Sequence, residues 1–421
     1  MQIIGITGSF GKSSLCYILS SYLKYIGKKV VTYSSIEIDS PRSNKTVHQA
    51  VEMAIKNKKD VDDAIKEASN YKADFLILEI NEEIINEGII DDIPFTYRVL
   101  TNIKRMDIKD DFEKYKERVF SFLTHSNTKQ NDKVILYLDC DMELSDFNKI
   151  KEEKEVITLG TRYICNIKRY EETNIDYLMH ETLNKKFFSI KGLSFSISSF
   201  NNTIDIDTNL IFPYNAINIL EAYGIIDDLK LLDIKVFQEV IKNINIPGRS
   251  EIIKIKNRYI MISPTLSPEL EYLYTLKENK EINNIILITA SIGQGFPTWE
   301  AKYNSKEQKE HLSDARKFAI SYASKYSDYI YLTSSDPAHT NPYEIAEEMK
   351  SHIKDVENEI EIDRYEAIKK AIRNSKFNDF ILISGRGNRN IYCIGDKMLK
   401  FTDLELVKKA LQEIGWAYEY K

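Results

Sequence analysis

Apolar residues occur along this chain mainly as short unbroken runs. Met1 to Ile6, Val30 to Tyr33, Asp74 to Ile80, Phe95 to Leu100 and Lys133 to Leu138 have the look of strands buried on both faces. Between most of them, Lys12 to Tyr25, Val61 to Asn70 and Asp111 to Leu123 carry helical periodicity. Strand and helix in alternation predict an α/β domain with a mostly parallel sheet and helices on both faces. From about Glu155 to Asp207 the runs shorten, as in Phe187 to Ile197, and no long helix separates them, which predicts an antiparallel extension. Helices return at Pro213 to Tyr223 and Leu231 to Asn243, and Ile246-Pro247-Gly248-Arg249 supplies a turn where a domain can end. A second βα series follows, with strands at Ile285 to Thr289, Tyr329 to Thr333 and Phe380 to Ser384. Its helices are expected at Ser305 to Lys325, Pro342 to Ile353 and Asp363 to Ser375.

Composition narrows the class. A chain of 421 residues is long enough for two or three domains, each with its own core. The net charge of −6 argues against a general nucleic-acid or membrane-surface binder, and no apolar run approaches the roughly 18 residues of a membrane span. The expected location is cytoplasmic. Cys16, Cys140, Cys165 and Cys393 lie far apart with no CxxC pair, so neither a zinc ribbon nor a disulfide framework is indicated.

The chemistry concentrates in Gly5 to Leu15, GITGSFGKSSL, placed between the first strand and the first helix. Gly8 and Gly11 let the backbone turn so that N–H groups of Ser9, Phe10 and their neighbours face an anion, and Ser13-Ser14 open a helix whose N-terminus carries partial positive charge. In such a loop Lys12 reaches the outer phosphates of a nucleotide and Ser13 a bound Mg²⁺. The spacing departs from GxxxxGK[ST], since only two residues separate Gly8 from Gly11.

With these elements placed, the chain resembles the Mur ligases, and most the branch that adds the third peptide residue to the cell-wall precursor. GITGSFGKSS is similar to the family's GTxGKTT loop, Leu78-Glu79-Ile80-Asn81 to MEVSS, and Thr101-Asn102-Ile103-Lys104-Arg105 to TNLSRDHLD. FPYNAINILEA (Phe212 to Ala222) resembles FNxxNxLAA, and Pro247-Gly248-Arg249-Ser250-Glu251 matches PGRxE. TSSDPAHTNP (Thr333 to Pro342) resembles TSDNPRxEDP, and SGRGNR (Ser384 to Arg389) resembles AGKGHE. The resemblance implies a P-loop-type central ATP-binding domain over residues 1–248 and a smaller Rossmann-like C-terminal domain over 249–421. It also implies ATP-dependent activation of a carboxylate as an acyl phosphate, which an amino acid or other amine then attacks.

By the same resemblance Glu79 is a magnesium ligand, Asn218 reads the adenine, Asn215 fixes its helix start and Arg249 approaches the phosphates. Lys12, Glu79 and Asp107 are the expected catalytic set, with Ser13, Glu79 and Asp107 on the metal; Asp107 stands where the family has a histidine. Ala338, His339, Asn388 and Arg389 fall at the amine-binding positions. Two of these, Ala338 for arginine and Arg389 for glutamate, change the charge, so the amine is expected to be neutral or acidic. The family's carbamylated lysine falls on Val119, with Lys116 and Arg118 nearby, and the motif that opens the third domain is reduced to Ser263-Pro264-Thr265-Leu266-Ser267-Pro268. These departures leave a non-catalytic ATP-binding subunit as an alternative, beside a folylpolyglutamate-synthase-like ligase. No residues before the first strand remain for the domain that holds the UDP-sugar in the cell-wall branch. Tight binding of UDP-N-acetylmuramoyl dipeptide is therefore not expected, and the carboxylate is expected from a smaller molecule or from a partner or carrier protein.

Overall fold

The structure is a computed structural model that describes residues 1–421 apart from 42, 47–54, 104–111, 126–131, 139–141, 162–174, 183–184, 201, 250, 265, 267–268, 295–305, 388, 418 and 421. The described residues form two compact units, one ending at Ile244 and the other Asn245–Lys421. Among them no helix is long and apolar enough to cross a membrane.

The first unit is built on a large sheet. Its strands are β1 (Gln2–Thr7), β2 (Val30–Tyr33), β3 (Glu37–Ser40), β4 (Ser43–Thr46), β5 (Phe75–Glu79), β6 (Tyr97–Leu100), β7 (Lys133–Tyr137), β8 (Glu155–Thr161), β9 (Tyr177–Glu181), β10 (Phe188–Ser189), β11 (Gly192–Ser199) and β12 (Thr203–Thr208). They lie in the order β10-β11-β9-β8-β7-β6-β1-β5-β2-β3-β4, with β12 paired to β11. Pairing is parallel from β9 through β2. It turns antiparallel beyond β9 on one side and at β3 and β4 on the other. Glu155 to Thr161 thus continues the parallel sheet, and the antiparallel extension starts later than the shortened apolar runs suggest.

The helices of this unit are α1 (Lys12–Tyr25), α2 (Lys58–Tyr71), α3 (Glu82–Asn86), α4 (Phe112–Thr124), α5 (Leu144–Glu153), α6 (Pro213–Asp228) and α7 (Ile234–Lys242). From β1 the chain moves out to β2 and returns to β5 on one side, then crosses to β6, β7 and β8 on the other. Connections diverge at the carboxyl ends of β1, β5 and β6, which is where an open α/β sheet forms its ligand crevice. Register brings Ile6 beside Glu79 and Thr7 beside Leu100, so the loop after β1 starts between the ends of its two neighbours.

Helix α1 buries Leu15, Cys16, Ile18, Leu19, Tyr22 and Leu23, and it packs against α6. Helix α6 is buried almost all round, as a helix held between a sheet and another helix must be.

The second unit has β13 (Glu251–Ile255), β14 (Arg258–Ser263), β15 (Ile285–Thr289), β16 (Tyr329–Leu332), β17 (Glu357–Ile360), β18 (Phe380–Ser384) and β21 (Glu419–Tyr420) in the order β17-β16-β15-β18-β14-β13-β21. A separate hairpin is formed by β19 (Ile391–Ile394) and β20 (Lys397–Lys400). Its helices are α8 (Glu269–Glu278), α9 (Lys306–Ala323), α10 (Pro342–Lys350), α11 (Arg364–Asn374) and α12 (Asp403–Ile414). Strands β14 to β18 are parallel. The chain walks outward from β15 to β17 and then returns to place β18 between β14 and β15, so a second crevice opens at the carboxyl ends of β15 and β18.

One group in the first core is out of character. Glu221, on α6, has no exposed surface and neither carboxylate oxygen has a hydrogen-bond partner. Burial pushes its carboxyl well above the ordinary range, so the folded chain holds it neutral. The unfolded chain ionises the same group above about pH 4.3, so Glu221 lowers stability progressively as pH rises from there toward the folded-state value. Glu221→Gln removes that titration. The stability gained by the variant, measured by urea denaturation, should therefore be larger at about pH 8 than at about pH 5; a pH-independent difference would show that Glu221 does not titrate on unfolding.

Candidate functional site

The loop after β1 is bolted to the end of β6. Thr101 Oγ1 donates to Thr7 O (3.2 Å) and to Phe10 O (2.5 Å), and Asn102 Nδ2 donates to the same Phe10 carbonyl (2.9 Å). Asn102 Oδ1 accepts from Phe10 N–H (3.1 Å), and its backbone carbonyl accepts from Ser9 N–H (2.9 Å). Ser9 Oγ lies 3.2 Å from Tyr115 Oη. The loop's turns need glycine. Gly8 has φ 134° and Gly11 φ 86°. A Cβ on Gly8 would stand 2.3 Å from Thr101 Oγ1, and one on Gly11 2.4 Å from Asn218 Oδ1.

Helix starts differ in a telling way. Helices α2, α3, α7, α10, α11 and α12 are each closed by a side chain from the residue before them, Asn57, Asn81, Asp233, Asn341, Asp363 and Thr402. Helix α1 begins after Gly11 with no side-chain cap and no acidic residue in its first turn, as does α6, which however opens on Pro213 and so lacks that amide donor. Its N-terminus, at Lys12-Ser13-Ser14, therefore keeps the partial positive charge and amide donors that suit an anion. Lys12 Nζ donates to Gly8 O (2.8 Å), which holds the ammonium over the loop.

At the end of β5, Glu79 meets the start of α1. Ser13 Oγ donates to Glu79 Oε1 (3.0 Å), Ser35 N–H donates to Oε2 (2.7 Å), and the Ser13 and Ser35 hydroxyls are 2.7 Å apart. Ser35 was not among the residues picked from the sequence, because a serine in the turn after β2 carries no periodic signal. A carboxylate and two hydroxyls form a hard oxygen set that fits a divalent cation such as Mg²⁺. Among the described residues no group of three or more His, Cys, Asp or Glu is placed to hold a metal. Asp107, the third expected ligand, lies outside the described residues. Cys16, one turn along α1, is buried with its thiol pushed well up by burial and by the Glu79 charge, so it is not a nucleophile here.

Asn218 is buried against the loop, with Oδ1 facing Gly11, and neither its Nδ2 nor that of Asn215 has a hydrogen-bond partner. Val119 is wholly buried among apolar side chains. Lys116 pairs with Glu113 (2.9 Å) and Asp146 (3.3 Å), and Arg118 pairs with Glu82. These partners occupy the two cations on α4 nearest to Val119.

The remaining expected residues belong to the second unit. Arg249 is half-buried, with Nη1 3.4 Å from Gly248 O. Ala338 is buried, its N–H bonded to Cys393 O (3.1 Å) and its carbonyl to Gly395 N–H (2.6 Å). His339 is more than half exposed, with Nε2 3.7 Å from Asp396. Asn388 lies outside the described residues. Arg389 is mostly buried and binds Asp336 Oδ2 at 2.7 Å. Asp336 and Arg386, which touch it, and the Arg364–Asp403 pair beyond them were not singled out from the sequence.

The sequence family described as the Mur ligase middle domain matches residues 6–226. The UDP-N-acetylmuramoyl-L-alanyl-D-glutamate–2,6-diaminopimelate ligase of Prochlorococcus marinus subsp. pastoris is 24% identical over 419 residues, covering 98% of this chain and 78% of that protein. The MurF ligase of Thermotoga maritima in complex with ADP superposes with a TM-score of 0.60 at 14% identity, covering 98% of this chain and 81% of that one. The bifunctional folylpolyglutamate synthase/dihydrofolate synthase of Yersinia pestis, complexed with AMPPNP and Mn, gives a TM-score of 0.62 at 11% identity, covering 98% and 89%.

Asn102→Ala removes both side-chain bonds to Phe10 and leaves the β6 backbone intact. MgATP affinity, measured by calorimetry, should fall about tenfold, the worth of one or two neutral hydrogen bonds, with little change in thermal stability. Unaltered affinity would mean the loop holds its shape without Asn102.

Proposed function

The chain belongs to the Mur ligase family, and from that premise we propose that it is an ATP-dependent, ADP-forming carbon–nitrogen ligase joining a carboxylate to an amino acid or other amine. The observation that carries this reading is the uncapped start of α1 behind the Gly8–Gly11 loop, with Lys12 over the loop and Glu79 bonded to Ser13. Solved relatives bound to ADP and to AMPPNP with manganese support a nucleotide and a divalent cation as the loop's ligands.

In this reading a carboxylate oxygen of the acceptor attacks the γ-phosphorus of ATP, giving an acyl phosphate and ADP. The amine nitrogen then attacks the acyl carbon, and the tetrahedral adduct expels phosphate as the C–O bond breaks and the amide remains. Neither step needs a nucleophilic side chain; both need positive charge and fixed donors around the phosphoryl group. The N–H groups of Ser9 and Phe10, expected to face the phosphates, are instead spent on Asn102 and brace the loop, so the phosphates fall to the Gly11–Ser14 start of α1, and Lys12 stabilises the outer ones. Ser13 and Glu79, joined by Asp107, hold Mg²⁺, which when bound neutralises the charge of the transferring group. Asn218 and Arg249 are assigned to the nucleotide, and Ala338, His339, Asn388 and Arg389 to the amine. Residues 1–248 form the ATP-binding domain and 249–421 the domain that contributes the amine contacts.

A second reading, an ATP-binding subunit without ligation, draws on Val119, whose buried apolar side chain has no means of holding a metal. Screening carboxylates and amino acids for ADP release separates the two. Release that requires both substrates marks the ligase, whereas MgATP binding without such release marks the subunit.

Lys12→Ala should lower substrate-dependent ADP release about 10²-fold or more, a loss of roughly 3 kcal/mol of transition-state stabilisation, while circular dichroism stays that of the wild type. Normal turnover in a folded variant would remove Lys12 from the site. Glu79→Ala should raise the Mg²⁺ concentration for half-maximal activity, and an unchanged Mg²⁺ titration would take Glu79 off the metal.

A further inference from the structure

A cavity of about 150 Å³ opens at one end of the antiparallel extension, between the β10–β11 turn, the end of β12 and the last residue of α7. That volume is below the roughly 300 Å³ at which pockets for drug-sized ligands begin, so it suits one small group and not a whole nucleotide. Backbone geometry shapes it. Gly192 has φ 138°, and a Cβ there would stand 1.8 Å from Thr208 O, so only glycine lets the turn come this close to β12. Lys191 N–H donates to Ser189 Oγ (3.2 Å), which donates to Gly192 O (3.2 Å), closing the turn that carries Lys191. Thr208 Oγ1 donates to Ile241 O (2.8 Å), which ties the end of β12 to the end of α7 and sets Lys242 beside the cavity.

The charge around it is unequal. Lys191 and Lys242 line the cavity, and among the described residues Asp207 is the one carboxylate that does. Asp207 is spent on other partners: Lys185 Nζ donates to both its oxygens (3.0 and 2.8 Å), and Ser194 Oγ donates to Oδ1 (2.6 Å). Asp205, the next carboxylate on that face, is outside the lining and accepts from Ser196 Oγ (2.6 Å). Neither Lys191 nor Lys242 has an ion pair among the described residues. Burial would raise the Asp207 carboxyl, yet the bonds from Lys185 and Ser194 and the charges of Lys185 and Lys242 hold it below the ordinary value, as a positive surrounding does. Asn209 adds an exposed amide to the lining.

Two ammoniums that face one small cavity repel each other and attract an oxyanion, and lysines serve as point charges for phosphate. We propose that this cavity is a second anion site, separate from the start of α1, and that it takes a phosphate group, either the free ion or the phosphate of a small monoester. Lys191 and Lys242 supply the charge, and Asn209 supplies a neutral donor. The site stands independently of the ligase reading, since it uses no residue of the nucleotide loop.

Calorimetric titration of the full chain with sodium phosphate, in the presence of MgADP, tests this. The wild type should bind phosphate, and Lys12→Ala should keep that binding. Lys191→Ala/Lys242→Ala should weaken it about tenfold or more, with MgADP affinity and circular dichroism unchanged, and Lys191→Arg/Lys242→Arg should retain most of it. Sodium acetate, with a single charge, should bind at least about tenfold more weakly than phosphate. Ribose 5-phosphate binding more tightly than phosphate assigns the group to a monoester, and equal or weaker binding assigns it to the free ion; both support the site. Phosphate binding that survives in the alanine pair, that disappears in Lys12→Ala, that acetate matches, or that no sample shows overturns the proposal.

Discussion

The bonds from Thr101 and Asn102 to the backbone of Thr7, Ser9 and Phe10 fix the geometry on which the first unit's chemistry depends. They tie the loop after β1 to the end of β6, a neighbouring strand in the same sheet, so the loop's shape depends on strand pairing as well as on its own glycines. The loop then turns at Gly8 and Gly11 and delivers α1 with its first turn uncapped. Because Ile6 is in register with Glu79, the start of α1 falls within one hydrogen bond of that carboxylate. A shift of β1 by one residue would face every β1 side chain the other way and part Ser13 from Glu79.

The two units handle their charged groups differently. In the first, Glu79 is satisfied by neutral donors, the Ser13 hydroxyl and the Ser35 amide, so its negative charge stays available to a cation. In the second, Arg364 pairs with Asp403, and Arg386 and Arg389 share Asp336, within a closed cluster. Hydrogen bonding without neutralisation leaves the first site charged, whereas ion pairing sets charge against charge inside the second.

Much of the fold was legible from the sequence, for physical reasons that also mark the limit. Strands β2, β15 and β18 match their expected ranges because a parallel strand buried on both faces is an unbroken apolar run. Helix α1 was equally plain from its periodicity. The hairpins β3–β4 and β19–β20 were not read, since exposed strands such as Lys397–Lys400 carry mixed side chains with no sustained apolar pattern; β13–β14 was not read either, although β14 is a buried apolar run from Tyr259 to Ile262. Helix α12 was missed although Thr402 and Glu405 form a capping box in front of it, a signal present in the sequence and overlooked. In the site, Gly8 to Ser14 and Glu79 were legible because loop and strand end are local features. Ser35, Asn102's grip on the loop and the Arg364–Asp403 and Arg386–Asp336 pairs were not, because each joins elements that only the sheet topology brings together.

Residues that depart from the family's pattern do not share one fate in the fold. Val119 falls inside the apolar core and has become a packing residue. Ala338 is absorbed into backbone pairing with the β19–β20 hairpin. Arg389 alone among the three keeps a charged group at a crevice rim, tied to a carboxylate it must share with Arg386. Where a substitution turns a charged position into a buried apolar one, the surrounding side chains close over it and the former chemistry is lost. Where it installs a cation, as at Arg389, the side chain is drawn into an ion pair with a carboxylate, Asp336, that also holds Arg386.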